Sequence, residues 1–156
     1  MLFYIIYLIL SPILWIIIII SSCFNFKIRE NFFHSRATIK LANNHISQTK
    51  KKVLLFHAAS AGEFEQLKPI LSKVDRMKYC IIQSFTSPTI YNIEKNSDLF
   101  DSACYQPFDF LWSSYFYFKS INPDKYIITR HDIWPNHMMI AAKMGINCIL
   151  INANIH

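Results

Sequence analysis

The sequence predicts an α/β domain, a Rossmann-like parallel sheet with flanking helices, preceded by an N-terminal membrane helix. Three observations predict it. The first 26 residues carry no charge and are mostly apolar. From residue 53 onward, short apolar runs alternate with amphipathic ones, the pattern of βαβ units. The loops after three of the apolar runs hold the chain's unusual polar chemistry, at the edge where ligands bind in parallel sheets. Three regions follow: a membrane segment over 1–26, a basic juxtamembrane linker over 27–52 and the sheet domain over 53–156.

The run LFYIIYLILSPILWIIIII, residues 2–20, is long enough to cross a hydrocarbon core of about 30 Å. It lacks a basic leader and a small-x-small cleavage site, which argues for a retained segment rather than a signal peptide. Ser11-Pro12 near its middle leaves a kinked span and a shallow re-entrant helix both open. In the domain, VLLF (53–56) reads as a buried strand. Residues 63–74 read as a helix with Phe64, Leu67, Ile70, Leu71 and Val74 on one face. YCIIQSF (79–85) is a second strand. Pro88 opens a helix to about residue 95, capped by Thr86 or Ser87. A short strand over 103–105, an aromatic helix over 111–121 and the strand YIIT (126–129) come next. A helix over 134–144 then ends at Gly145, and NCILI (147–151) closes the series.

The net charge of +6 is unevenly placed. Lys27, Arg29, Arg36, Lys40, Lys50, Lys51 and Lys52 face a single acid, Glu30, in the linker, while basic and acidic residues balance from Val53 onward. Basic residues following an apolar segment mark the cytoplasmic side and attract anionic headgroups. A neutral domain without a basic stripe argues against a nucleic-acid partner. The four cysteines form no CxxC pair and give no zinc pattern. Three of them, Cys80, Cys104 and Cys148, fall in or beside apolar runs, as reduced buried thiols do.

The candidate chemistry lies in three loops. In HAASAGE (57–63), Ser60 and Glu63 have the spacing of a capping box. The same carboxylate, pointing off the strand edge, can act as a general base toward a hydroxyl. Gly62 is one of only two glycines, where average usage would give roughly eleven, and it would let a ligand approach the backbone. His57 can orient a substrate or Glu63, or serve as a structural histidine. Thr86, Ser87 and Thr89 offer hydroxyls to a sugar or phosphate, with capping the plainer role for at least one. In RHDIWPN (130–136), Asp132 can cap the following helix, whereas Arg130 and His131 are harder to assign to packing. The chain has neither a GxGxxG nor a GxxxxGK[ST] phosphate loop, and no nucleophile elbow.

Taken in order, HAASAGE, TSPT (86–89), YQPFD (105–109), DIWPN (132–136), Gly145 and INAN (151–154) resemble the N-terminal half of the Kdo transferase family of lipopolysaccharide biosynthesis. The resemblance implies the acceptor-side domain of a GT-B glycosyltransferase. The reaction is transfer of 3-deoxy-D-manno-octulosonic acid (Kdo) from CMP-Kdo to a lipid A precursor, on the cytoplasmic face of the bacterial inner membrane, with no metal or other cofactor. Glu63 falls on the family's general base, and Ser60, Gly62, Thr86, Ser87, Thr89, Arg130 and Asp132 on its acceptor side. The two family acids before WPN align with Arg130 and Asp132, so one negative charge is replaced by a positive one. The family continues past the position of His156 into a donor-binding domain. The expectation is therefore a truncated enzyme or one half of a split one, inactive without a separately encoded donor domain. Two alternatives are a non-catalytic membrane-anchored module binding a phosphoglycolipid or a partner enzyme, and the half of another membrane-associated GT-B glycosyltransferase.

Overall fold

A computed structural model describes residues 2–130 and 132–152, excluding the side chains of Leu2 and Phe3. Two long helices, α1 (Leu2–Phe24) and α2 (Phe26–Ile46), precede an alternating series: β1 (Lys52–Ala58), α3 (Ala61–Leu71), β2 (Tyr79–Phe85), α4 (Pro88–Glu94), β3 (Ser102–Tyr105), α5 (Leu111–Ile121), β4 (Lys125–Thr129), α6 (Pro135–Lys143) and β5 (Asn147–Ile151). The strands form one parallel sheet in the order β3-β2-β1-β4-β5. The predicted α/β class and every predicted strand are present, β2 and β5 with the expected bounds and β1, β3 and β4 longer than expected.

Strand alternation divides the core. Val53, Leu55, Ile82, Cys104, Tyr126 and Ile128 point to the layer of α2, α5 and α6, where they meet Tyr117, Phe118 and Ile140. Leu54, Phe56, Ile81, Phe85 and Ile127 point to the other face, against Phe64, Leu67 and Leu71 of α3 and Ile90 of α4. Burial raises the thiol of Cys80 to about 11 and lifts that of Cys104 further from its ordinary value, as expected of inert buried thiols.

The stretch read as a juxtamembrane linker is largely the helix α2, and it belongs to the core. Its inner face carries Asn31, Ser35, Thr38, Ile39 and Ala42, all buried. Thr38 Oγ1 accepts the N–H of Tyr105 on edge strand β3 at 3.1 Å, and Asn31 Nδ2 donates to the carbonyls of Thr86 and Gln106, both at 3.0 Å. The helix thus supplies partners that a sheet edge otherwise lacks. It also divides the basic residues. Lys27, Arg29 and Arg36 lie on the part of α2 nearest α1, whereas Lys51 and Lys52 sit where β1 begins, at the opposite edge of the sheet from the loops that follow the strands.

Helix α1 is continuous through Pro12. Proline removes the N–H that would bond the Leu8 carbonyl, and Ser11 Oγ donates to that carbonyl at 2.8 Å instead. The face of α1 toward the domain carries Tyr4, Tyr7, Ser11, Leu14, Ile18 and Ser22, at helical spacing. The opposite face exposes Ile5, Ile6, Ile9, Ile13, Ile16 and Ile20. By length and composition the helix can cross or anchor to a membrane.

Helix α6 shows how its ends are fixed. Gly145, at φ 70°, forms a Schellman motif in which its own N–H bonds the Ala142 carbonyl (3.1 Å) and the N–H of Ile146 bonds that of Ala141 (2.9 Å). At the other end Trp134 occupies the cap position without a capping side chain. The cap comes from 27 and 28 residues upstream of the two groups it accepts: buried Asp109, in the loop before α5, accepts the N–H of Asn136 through Oδ2 at 3.0 Å and that of His137 through Oδ1 at 2.8 Å. The expectation that Asp132 would cap this helix is therefore corrected. Asp109 also accepts the Tyr7 hydroxyl at 3.0 Å and the ring Nδ1–H of His137, and Tyr4 donates to Asn136 Oδ1 at 2.8 Å. One carboxylate thereby ties α1, the β3–α5 loop and α6 together.

Replacing Asp109 by asparagine puts an amide donor among these donors. The expected loss is about 2–4 kcal/mol of stability, read from urea unfolding of the micelle-bound chain by tryptophan fluorescence. Tyr7→Phe removes one hydroxyl from the same carboxylate and is expected to cost about 1 kcal/mol by the same measurement.

Candidate functional site

The sheet runs one way from β1 through β2 to β3, then places β4 on the other side of β1. The loops after β1 and β4 consequently diverge at their carboxyl ends, and a crevice opens where the strand order reverses. His57 and Ala58 end β1 and Ala59 and Ser60 lead from it into α3, TSPT begins directly after β2, and Arg130 and residues 132–134 follow β4, so the three loops singled out in the sequence share this edge.

Glu63 sits in the first turn of α3 and is half-buried. Ser60 caps the helix, its Oγ accepting the Glu63 N–H at 3.4 Å. The Glu63 side chain reaches back as capping predicts, but to the N–H of Ala59 rather than Ser60, at 2.6 Å through Oε2. Oε2 also lies 3.4 Å from Thr129 Oγ1, the last residue of β4, so the carboxylate bridges the crevice. Thr129 has one hydroxyl proton, and its closer acceptor is the His57 carbonyl at 3.0 Å. Among the described residues, no donor is within hydrogen-bond distance of Glu63 Oε1. One oxygen is held in place and the other is available to a hydroxyl. The capping role and the availability for chemistry coexist in this geometry.

Gly62 lies in the first turn of α3 and is exposed, and a Cβ built there meets nothing within 4 Å. The fold itself does not require glycine at this position. What its missing side chain leaves is clear backbone beside Glu63.

His57, at the end of β1, is fully buried and joined to two neighbouring loops. Its Nδ1 is 2.9 Å from Ser84 Oγ, and its Nε2 is hydrogen-bonded to Asp132 Oδ2 and 3.5 Å from Thr86 Oγ1. A carboxylate accepts only, so Nε2 carries the proton toward Asp132. Asp132 Oδ1 in turn accepts the Trp134 indole N–H at 2.7 Å. Burial works to raise the Asp132 carboxyl, but the His57 and Trp134 bonds outweigh it and hold it below the usual carboxylate range. His57 and Asp132 thus lock the β1 and β4 ends together, a pairing that residue spacing alone does not reveal.

The remaining predicted site residues divide. Thr86 turns its hydroxyl to His57, and Ser87 holds the cap position of α4 without a side-chain cap bond, so neither hydroxyl caps the helix as expected. Both line a cleft of about 320 Å³ with Ala59, Pro88, Phe108 and, from α2, Lys27 and Asn31. Asn31 and Lys27 are additions that the linker reading concealed. Asn31 is 2% exposed and its Oδ1 has no partner among the described residues. Thr89 is exposed on α4 and stands apart from the cleft. Arg130 holds a left-handed backbone (φ 54°), which a non-glycine residue adopts rarely, and its Nε points to Gln66 Oε1 at 3.4 Å, away from the carboxylates. His131 and the last two residues of INAN lie outside the described residues. Among the described residues, no group of three or more His, Cys, Asp or Glu side chains is placed to hold a metal ion.

Comparison with protein-family models matches residues 28–156 to the N-terminal region of 3-deoxy-D-manno-octulosonic-acid transferase (kdotransferase). The chain belongs to the Kdo transferase family. The match begins inside α2, so the helix read as a linker is part of the family's domain. A search of curated proteins returns no match. Within this Kdo transferase domain, the pairs Glu63–Thr129 and His57–Asp132 give the crevice its geometry.

Two outcomes follow from this arrangement. His137 is buried, donates Nδ1–H to Asp109 and has no partner for Nε2 among the described residues, so a second ring proton is disfavoured and burial lowers its pKa. The unfolded chain binds that proton below about 6.5 while the native chain resists it, so stability is complete above that pH and falls as pH drops through it. A second loss begins near 3.8, where the depressed carboxyls of Asp109 and Asp132 bind protons more readily in the unfolded chain. Urea midpoints across pH 3–8 should show both steps, and His137→Gln should remove the upper one. Gly62→Ala should leave stability equal or raise it by up to about 1 kcal/mol, since only helix propensity changes.

Proposed function

We propose that this domain binds the acceptor of a Kdo transfer reaction and supplies its general base. In this reading a lipid A precursor lies along the crevice with a sugar hydroxyl at Glu63 Oε1. The Ala59 N–H holds Oε2, leaving Oε1 for the substrate. Glu63 takes the hydroxyl proton as the acceptor oxygen attacks the anomeric carbon of CMP-Kdo, and CMP leaves with the bonding electrons. The donor would be held by a second, donor-binding half, so that two sites fix the reacting atoms in line. Thr86, Ser87, Lys27 and Asn31 line the adjoining cleft and suit a phosphorylated sugar, with Ser60 next to the lining residue Ala59. Gly62 gives clearance, while His57 and Asp132 are positioning residues that fix the loops. Arg130 and Thr89 do not line this cleft, and no role in holding the acceptor is assigned to them.

The observation that carries the reading is the half-used carboxylate at the strand-order switch. An apolar helix that can anchor to a membrane, bonded at Tyr4 and Tyr7 to the same domain, supports a lipid-borne acceptor. We place the body on the cytoplasmic face of the inner membrane, consistent with the basic residues at the start of α2. A non-catalytic binding module is the competing reading, favoured by the bonds that Glu63 already makes as a cap.

The two readings separate in one experiment. The chain is combined with a family donor-binding half, and Kdo transfer from CMP-Kdo to a lipid A precursor is measured. Glu63→Gln should lower the rate by about 10²–10⁴-fold with unchanged circular dichroism, and Gly62→Ala should lower it while leaving stability intact. Retention of more than a tenth of the rate by Glu63→Gln would assign the carboxylate to capping alone.

A further inference from the structure

Beside the crevice, two cavities of about 280 and 170 Å³ share Ser35, Pro107, Trp112 and Ser113, and so form one continuous groove. Its walls are aromatic: Trp15 of α1 and Phe32 of α2 on one side, Phe108, Phe110 and Trp112 on the other. The rings of Phe110 and Trp112 stack at 4.9 Å with 2° between their planes, which holds the wall flat although the Trp112 side chain is half exposed. At the far end the groove meets Arg36, whose guanidinium lies 4.9 Å above the ring of Phe116. Arg29, exposed Phe33 and Lys40 continue the same side of α2 at helical spacing.

The groove therefore has an apolar, aromatic channel at one end and a cationic mouth at the other. It opens beside α1, whose outward face is an unbroken row of isoleucines. Both ends of that helix are fastened to the domain, by Tyr4 to Asn136 at one end and by the short junction at Asn25 to α2 at the other.

We infer that this groove binds one anionic membrane phospholipid, with part of an acyl chain between Trp15 and Trp112 and the phosphate at Arg36. Charge complementarity selects an anionic headgroup, because the mouth carries Arg36 flanked by Arg29 and Lys40. The aromatic walls select an acyl chain rather than a sugar or a peptide strand, since the lining offers only the Ser35 and Ser113 hydroxyls besides Arg36 as polar side chains. The groove borders the acceptor cleft at Phe108 but draws on different residues of α2, Phe32, Ser35, Arg36 and Ile39 rather than Lys27, Ile28 and Asn31. It rests on the membrane reading of α1 and not on Kdo transfer, and would seat the domain on the bilayer in one orientation.

The test uses the full 156-residue chain in vesicles, with Trp15→Phe and Trp134→Phe leaving Trp112 as the reporter. Brominated acyl chains of phosphatidylglycerol or phosphatidylcholine serve as contact quenchers. Half-quenching of Trp112 should occur at several-fold lower mole fraction of the anionic lipid. Arg36→Gln should abolish that preference while the chain still floats with the vesicles. Equal quenching by the two lipids, or no quenching in chain that floats, would overturn the site. Displacement of brominated phosphatidylglycerol by an equimolar phosphorylated acyl-disaccharide would overturn it too, by giving the groove to the acceptor. Failure to float would refute the membrane reading on which the site depends, and the site with it. None of these readouts requires transferase activity, so a lost site and a lost catalytic role are separately visible.

Discussion

The carboxylate of Asp109 is the interaction on which the rest of the structure depends. A helix start leaves N–H groups without partners, and the residue at the cap position of α6, Trp134, cannot supply one. Asp109 supplies it from a different loop, and the same two oxygens also take the Tyr7 hydroxyl and the His137 ring proton. An anion buried to 4% exposure is tolerable only because every approach to it is a donor. The consequence is spatial. Fixing the first turn of α6 also fixes the preceding loop, from which Asp132 reaches His57.

From that anchor the site is built by a second pair of contacts. His57 joins the ends of β1 and β4, through its ring to Asp132 and through its carbonyl to the Thr129 hydroxyl, and Glu63 approaches Thr129 from α3. These contacts cross the point where the strand order reverses, the one place in a parallel sheet where neighbouring loops part and leave room for a ligand. Glu63 is held by capping its own helix, and that restraint orients the free oxygen. Structural and chemical roles are here properties of the two oxygens of one side chain rather than rival explanations of it.

The strands were legible because each is a short run of bulky apolar residues bounded by polar loops, as in VLLF and YIIT. Gly145 was legible because a Schellman turn needs a left-handed residue. Helix α2 was not. Its inward face is made of Asn31, Ser35, Thr38 and Ala42, polar or small residues whose burial rests on hydrogen bonds to loops and a strand edge distant in sequence. Its basic residues all lie outward and dominated the composition. The spacing of Ile28, Asn31, Ser35, Ile39, Ala42 and Ile46 was the available signal, obscured by the polarity of its members. At the site, Glu63 and its loop were readable from motif and topology together. The partnership of His57 with Asp132 and the capping of α6 by Asp109 were not, because both are tertiary contacts and an adjacent residue, Asp132, offered a plausible local cap.

The central claim is that the loops after β1 and β2 receive a phosphorylated glycolipid beside Glu63. Hydrogen exchange by mass spectrometry, on the vesicle-bound chain with and without a lipid A precursor, tests it most directly. The account predicts slower exchange of the backbone amides at 59–63 and 86–87 on addition of the glycolipid, with no change along β5. Unchanged exchange in both loops at saturating glycolipid, or protection confined to the Trp15–Trp112 groove, would contradict it.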